Sequence, residues 1–240
     1  MKTQIKIENL TKTFRTSNGK ITALENVSLE IFKNECVVIG GENGSGKSVL
    51  MSIIAGLDKC TAGTVESPQV GLVFQEAETQ ILGETPAEDI AYGLKNLGLK
   101  KDRITAAVKD ALEKTGLGQK ADFPARFLSG GEKRRLAVAC MLAMELPVII
   151  LDEPFANLDY NGVKQVNALI RQLKAQDKTV IILTHEIEKC LGLADRFVVL
   201  FRGKKVFDGK PADGLKQKLE EWNIRNPILS YNSLEDLVWE

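Results

Sequence analysis

Gly41-Glu42-Asn43-Gly44-Ser45-Gly46-Lys47-Ser48 fills every position of the pattern G-x-x-x-x-G-K-[ST], and its flanks constrain the fold as much as the motif does. Upstream, Cys36-Val37-Val38-Ile39 is a continuous apolar run, as expected of a strand buried on both faces of a parallel sheet. Downstream, Leu50, Ile53 and Ile54 recur at helical spacing. Glycines in such a strand–loop–helix turn let successive backbone N–H groups point inward as a nest, and the helix adds the positive end of its dipole. The loop is thereby suited to a polyphosphate, with Lys47 reaching the β and γ phosphates and the Ser48 hydroxyl holding Mg²⁺.

The rest of the chain fits an α/β fold around that loop. Val70 to Phe74, Val148 to Leu151, Val180 to Leu183 and Phe197 to Leu200 repeat the apolar-run pattern, and helical patterns fall between several of them. The N-terminal stretch differs. Ile5 and Ile7, then Val27, Leu29 and Ile31, alternate with polar residues, which predicts antiparallel strands with one wet face. Residues 76–146 break the alternation and read as an inserted α-helical subdomain. Thr85-Pro86-Ala87-Glu88 has capping-box spacing with Pro at the first helical position, and Gly116 is placed to stop the helix carrying Ile104, Val108 and Leu112. The expected division is one domain: a nucleotide-binding core over 1–75 and 147–205, the helical insert, and a polar tail over 206–240. Leu234, Leu237, Val238 and Trp239 in that tail are spaced for a short amphipathic helix.

Composition excludes several classes. Thirty-two basic residues against thirty-two acidic ones leave no net charge, so a global electrostatic grip on nucleic acid is not expected. The basic trio Lys133-Arg134-Arg135 reads as a solvated helix face. No apolar run approaches the ~18 residues that span a bilayer, and the start MKTQIKIENL lacks the apolar core of a signal peptide. Cys36, Cys60, Cys140 and Cys190 lie far apart without a C-x-x-C pair, which argues against zinc or a disulfide framework and for a reducing, cytosolic compartment.

Two further constellations carry chemistry. The run Val148–Leu151 delivers Asp152 to the carboxyl end of a strand, where open α/β sheets bind ligands, with Glu153 beside it. A carboxylate there can hold Mg²⁺, and the neighbouring one can polarise an attacking water. Leu128-Ser129-Gly130-Gly131-Glu132 opens a helix with capping-box spacing, and its glycines allow close approach of an anion to the helix end. One nucleotide cannot easily use both anion-binding helix ends within one subunit.

With LSGGE, the phosphate loop and ILDEP in one chain, residues 1–205 resemble the ATP-binding cassette ATPase family, a phosphate-loop (RecA-like) NTPase fold. The resemblance implies further roles. Gln75 matches the glutamine that links Mg²⁺ and the attacking water to the helical subdomain. His185, the only histidine, matches the one that contacts the γ-phosphate. Ala156-Asn157-Leu158-Asp159 matches the loop that crosses the dimer interface. Phe14 stands where the family often has a Tyr stacked on adenine, with Arg15 as a substitute contact, or else is a core residue. ATP would then be sandwiched between Gly41–Val49 of one subunit and Ser129, Gly130, Gly131 and Glu132 of another, in a homodimer or beside a paralogue.

The segment Gln75–Leu99 is similar to the energy-coupling-factor branch, which serves vitamin and cobalt or nickel uptake, through Gln80, Thr85, Glu88, Asp89, Ala91, Gly93, Asn96 and Gly98. Glu221-Trp222-Asn223-Ile224-Arg225 resembles that branch's G-I-R segment. Departures are Glu132 for the usual Gln, Val49 for Thr, Phe155-Ala156-Asn157 for T-A-G, and a short Ser48–Gln75 segment in which a sheet hairpin is trimmed. The branch implies an importer ATPase docked through its helical subdomain on integral membrane subunits at the cytoplasmic face. Two alternatives stay open at this point. Lys12-Thr13-Phe14-Arg15 and Ala55-Gly56-Leu57-Asp58 suggest a lipoprotein or macrolide-type exporter, and a soluble non-transport cassette is the other.

Overall fold

A computed structural model describes residues 2–17 and 19–228. The last helix expected from sequence, around Leu234–Trp239, lies outside the described residues.

Two sheets organise the molecule. In the smaller, β1 (Thr3–Thr16) pairs antiparallel with β2 (Gly19–Phe32) on one edge and β4 (Ala62–Glu66) on the other. The single strand β4 is what the short segment after the phosphate loop provides. The larger sheet has the order β5-β6-β7-β3-β8-β9, from β3 (Cys36–Gly40), β5 (Val70–Val73), β6 (Val148–Asp152), β7 (Thr179–Thr184), β8 (Arg196–Phe201) and β9 (Lys204–Gly209). All neighbours are parallel except β8 and β9.

The apolar runs are explained by burial on both faces. Val38, Ile149, Leu151, Val180, Ile182, Phe197 and Val199 face one side, with α5 (Tyr160–Ala175) packing there through Val166, Leu169, Ile170 and Leu173. Val37, Ile39, Val148, Ile150, Ile181, Leu183, Val198 and Leu200 face the other, against β1, β2 and α1 (Lys47–Ile54).

Between β5 and β6 lie α2 (Pro86–Asn96), α3 (Lys101–Lys114) and α4 (Gly130–Ala143) around their own core of Ile90, Leu94, Leu112, Leu117 and Leu136. Helix α4 belongs to both bodies: Leu136 and Ala139 pack in the insert, while Ala137, Val138 and Leu142 pack under the sheet. Local chemistry sets the starts of α2 and α4. Thr85 accepts from the Glu88 N–H, and at α4 Ser129 and Glu132 form both bonds of a capping box. Asp89 is buried and accepts from the Leu82 and Gly83 N–H groups at 2.7 and 2.9 Å, fixing the turn before α2.

The core does not stop at residue 205. Strand β9 crosses that expected boundary, a short helix α6 (Pro211–Gly214) follows, and Leu219 and Ile224 are fully or almost fully buried beneath the sheet. An edge strand with one exposed face carries too little apolar sequence to be distinguished from a loop.

All four thiols are free. Burial pushes Cys36 up to about 12 and raises Cys140 and Cys190 as well, so all three are poor nucleophiles. Cys60 alone is therefore expected to react with Ellman's reagent in the native protein, and all four after unfolding in denaturant.

Candidate active site

The phosphate loop is clamped by its surroundings. Gly41 has φ +152, and a Cβ there would lie 2.3 Å from the Leu200 carbonyl oxygen. Gly46 (φ +103) faces the Ala23 carbonyl, which would be 2.7 Å from a Cβ. The Gly203 N–H donates to the Ser45 carbonyl at 3.1 Å, so the β8–β9 turn holds the loop from outside. None of Ala23, Leu200 and Gly203 was legible as a site residue, since each acts through its backbone.

Inside the loop, the Lys47 amine donates to the Gly41 and Glu42 carbonyls at 2.7 and 3.0 Å and lies 3.7 Å from Glu153 Oε1. Burial lowers its proton affinity, and Glu153 and Asp152 work against that, keeping a buried cation among carboxylates. Asp152, at the end of β6, is pushed up by burial and by Glu153, and the Ser48 hydroxyl opposes the shift by hydrogen bonding to it. Among the described residues its Oδ1 has no hydrogen-bond partner. Hydroxyl and carboxylate oxygens of this kind form a donor set suited to a hard divalent cation.

Glu153 is held at both its backbone and its carboxylate. Its backbone is left-handed (φ 44), its N–H bonds the Leu183 carbonyl at 2.8 Å, and it is buried. Oε2 accepts from Thr184 Oγ1 at 3.0 Å and from the His185 N–H at 3.3 Å, while Oε1 lies 3.0 Å from His185 Nδ1. A carboxylate only accepts, so His185 presents its proton on Nδ1 toward Glu153. Thr184 is a site residue that sequence reasoning missed; it is masked there as one more residue of an apolar strand.

Asn43, Gly44, Gly46, Lys47, Ser48, Val49, Gln75 and Glu153 line one recess at the carboxyl ends of the parallel strands. Gly41, Glu42, Ser45, Asp152 and His185 do not line it, nor do Ser129 to Glu132, Asp159 and Phe14, although Gly130 and Gln75 share an adjoining recess. Asp159 caps α5, accepting from the Gly162 N–H at 2.7 Å. The Glu132 carboxylate is taken by the Ser129 N–H at 2.9 Å and by Lys120 at 2.7 Å. Phe14 is 38% exposed on β1 with the Lys12 amine 4.8 Å from its ring centroid, so it is not a core residue.

Comparison with known proteins places this geometry. The family described as ABC transporter matches residues 24–156. The Energy-coupling factor transporter ATP-binding protein EcfA2 of Thermotoga maritima is 39% identical over 81% of this chain and 78% of its own. The chain belongs to the ABC transporter family. It is an ATPase of that family with energy-coupling-factor relatives. Among solved structures, cbiO1 from Clostridium perfringens, part of the ABC transporter complex cbiONQ, superposes with a TM-score of 0.82 at 30% identity, covering 95% of this chain and 97% of that one. A dimeric post-hydrolysis state of the ATP-binding cassette MJ0796 bound to ADP and Pi gives 0.77 at 29% identity, covering 87% and 99%.

One expectation about this ABC ATPase is overturned. Lys133-Arg134-Arg135 is not a solvated helix face. Arg134 is 5% exposed, and its Nη2 donates to the Gln75 carbonyl at 3.1 Å, while Lys133 pairs with Glu78 at 2.7 Å and Arg135 with Gln165. Consecutive helix residues point about 100° apart, so three in a row cannot all face solvent on a helix packed on two sides. The side chain of Gln80 likewise has a structural task. It accepts from the Phe74 N–H and donates to the Leu72 carbonyl, both at 2.8 Å, tying off the free edge of β5 just before Gln75.

Proposed function

We propose that the chain is the ATP-hydrolysing subunit of an energy-coupling-factor type importer, working as a head-to-tail pair of cassettes against integral membrane subunits. The observation that carries the paired arrangement is an incomplete site. Lys47, Ser48, Gln75 and Glu153 share one recess, while the Ser129 helix end, the second anion-binding terminus, lies outside it. A second cassette supplies that terminus, and symmetry then gives two sites from one self-complementary face. Asp159 sits in the loop that would cross between the copies, and Phe14 offers its exposed ring to the adenine.

Within the site, Glu153 takes the proton of the attacking water at its carboxylate while Thr184 and His185 hold that carboxylate in place. Lys47 balances charge on the β and γ phosphates. Ser48, Asp152 and Gln75 would hold Mg²⁺, which when bound would neutralise phosphate charge. The products are ADP and phosphate.

For the membrane partner, a groove beside the insert is lined by Glu78, Ile81, Glu84, Thr85, Arg126 and Lys133, mixed in charge with an apolar floor. It suits a short cytoplasmic helix of an integral membrane subunit. Arg134, one residue along α4 from Lys133, connects that groove to Gln75. Among the described residues no helix is long and apolar enough to cross a membrane. In this reading the partner supplies attachment at the cytoplasmic face. The chain is expected to sediment with membranes, and mild detergent should release it together with an integral membrane protein. Recovery with ribosomes or DNA instead would favour a non-transport cassette.

A further inference from the structure

The phosphate loop carries one acidic side chain, Glu42, and that side chain is held from far along the sequence. Asn223 Nδ2 donates to Glu42 Oε2 at 2.6 Å. The main chain of Glu42 belongs to the loop interior, its carbonyl accepting from Lys47 Nζ at 3.0 Å and from the Ser45 N–H at 3.2 Å. Main chain and carboxylate are thus drawn in different directions.

Asn223 is firmly placed. It follows the helical turn Leu219–Trp222 with φ 56 and ψ 34, a left-handed conformation that Asn tolerates, and its N–H bonds the Glu220 carbonyl at 3.0 Å. Leu219 and Ile224 on either side are buried in the core, and Trp222 lies against Phe207 of β9 with ring centroids 6.5 Å apart. The amide therefore projects from a packed segment.

The charge it restrains lies close to the chemistry. Glu42 is among the carboxylates that act on Lys47, together with Glu153 and Asp152. An incoming triphosphate brings more negative charge to the same place, and an unrestrained Glu42 side chain would compete with it for Lys47 and the loop N–H groups.

We propose that Asn223 is a positioning residue for nucleotide binding: its amide draws the Glu42 carboxylate toward the C-terminal segment and off the path of the triphosphate, so that this segment sets the affinity of the loop for ATP. Asn223 acts through Glu42 and touches no reacting atom, so it governs KM and not kcat. The proposal rests on Gly41–Ser48 being the triphosphate site.

The test is steady-state hydrolysis and equilibrium binding of Mg-ATP by the full chain. Asn223→Gly keeps the left-handed backbone and removes the amide, and Asn223→Asp keeps the shape and replaces the donor with a second carboxylate. The Gly variant should raise KM and Kd about fivefold, the size expected for shifting a unit charge by a few ångströms in a partly exposed site. The Asp variant should raise them further, with kcat within about twofold of the parent in both. Glu42→Gln should tighten ATP binding and abolish the effect of either Asn223 change. Parental affinity in Asn223→Gly, or an undiminished effect in the Glu42→Gln background, overturns the proposal. Lys47→Ala, measured alongside, separates the two levels: if it binds Mg-ATP normally, the triphosphate site itself is misplaced, and if it does not while Asn223→Gly is silent, only the clasp is wrong.

Discussion

Glu153→Gln should lower the rate of ATP hydrolysis by about 10²–10⁴-fold, the range for loss of a positioned general base, while leaving ATP binding intact or tighter. The substitution preserves shape, and its amide oxygen can still accept from Thr184 Oγ1, which now reaches Glu153 Oε2 at 3.0 Å. What disappears is the basicity that receives the proton of water and one negative charge beside the triphosphate. Binding without turnover should then accumulate the closed, ATP-bound pair. Size-exclusion chromatography of the 26.4 kDa chain with Mg-ATP should show about twice the monomer mass for this variant. A monomer under those conditions would contradict the head-to-tail homodimer, leaving a paralogous partner as the second half.

Lys47→Ala should have an equally large effect one step earlier. The amine is buried, donates to two loop carbonyls and lies 3.7 Å from Glu153. Truncating one member of a buried, hydrogen-bonded charge set costs about 2–5 kcal/mol, or roughly 30- to several-thousand-fold in affinity. Here the cost falls on ATP, because Asp152 and Glu153 are left without their cation when the triphosphate arrives. Titration of labelled Mg-ATP into the variant should show binding weakened by about 30-fold or more, the lower end of that buried-pair scale. Since among the described residues Lys47 bonds only its own loop and Glu153, circular dichroism should show the secondary structure unchanged.

How much of this could be read from sequence depended on whether a residue's role was local. Strands β3, β6, β7 and β8 were legible because burial on both faces leaves a continuous apolar run through the middle of each. The residues at their carboxyl ends, Gly41, Asp152, Glu153 and His185, were legible because a polar or glycine residue ends each run. Strand β9 was not, since its exposed face makes it read as polar tail. Arg134 was misread because a run of three basic residues looks uniform along the chain, whereas the helix sends each in a different direction. Thr184 was not found, and Asn223 was noticed only inside the Glu221–Arg225 segment, with no role of its own. Their significance comes from partners 31 and 181 residues away, which only the fold brings within hydrogen-bonding distance.

The central claim is that Gly41–Ser48 holds the triphosphate and Glu153 activates the water that cleaves it. The most direct measurement is nucleotide retained by the purified Glu153→Gln protein after incubation with labelled Mg-ATP, with and without the added Lys47→Ala change. The account predicts retention of uncleaved ATP close to one per chain in the single variant and loss of that retention in the double variant. Parental turnover in Glu153→Gln, or equal retention in both proteins, would contradict it.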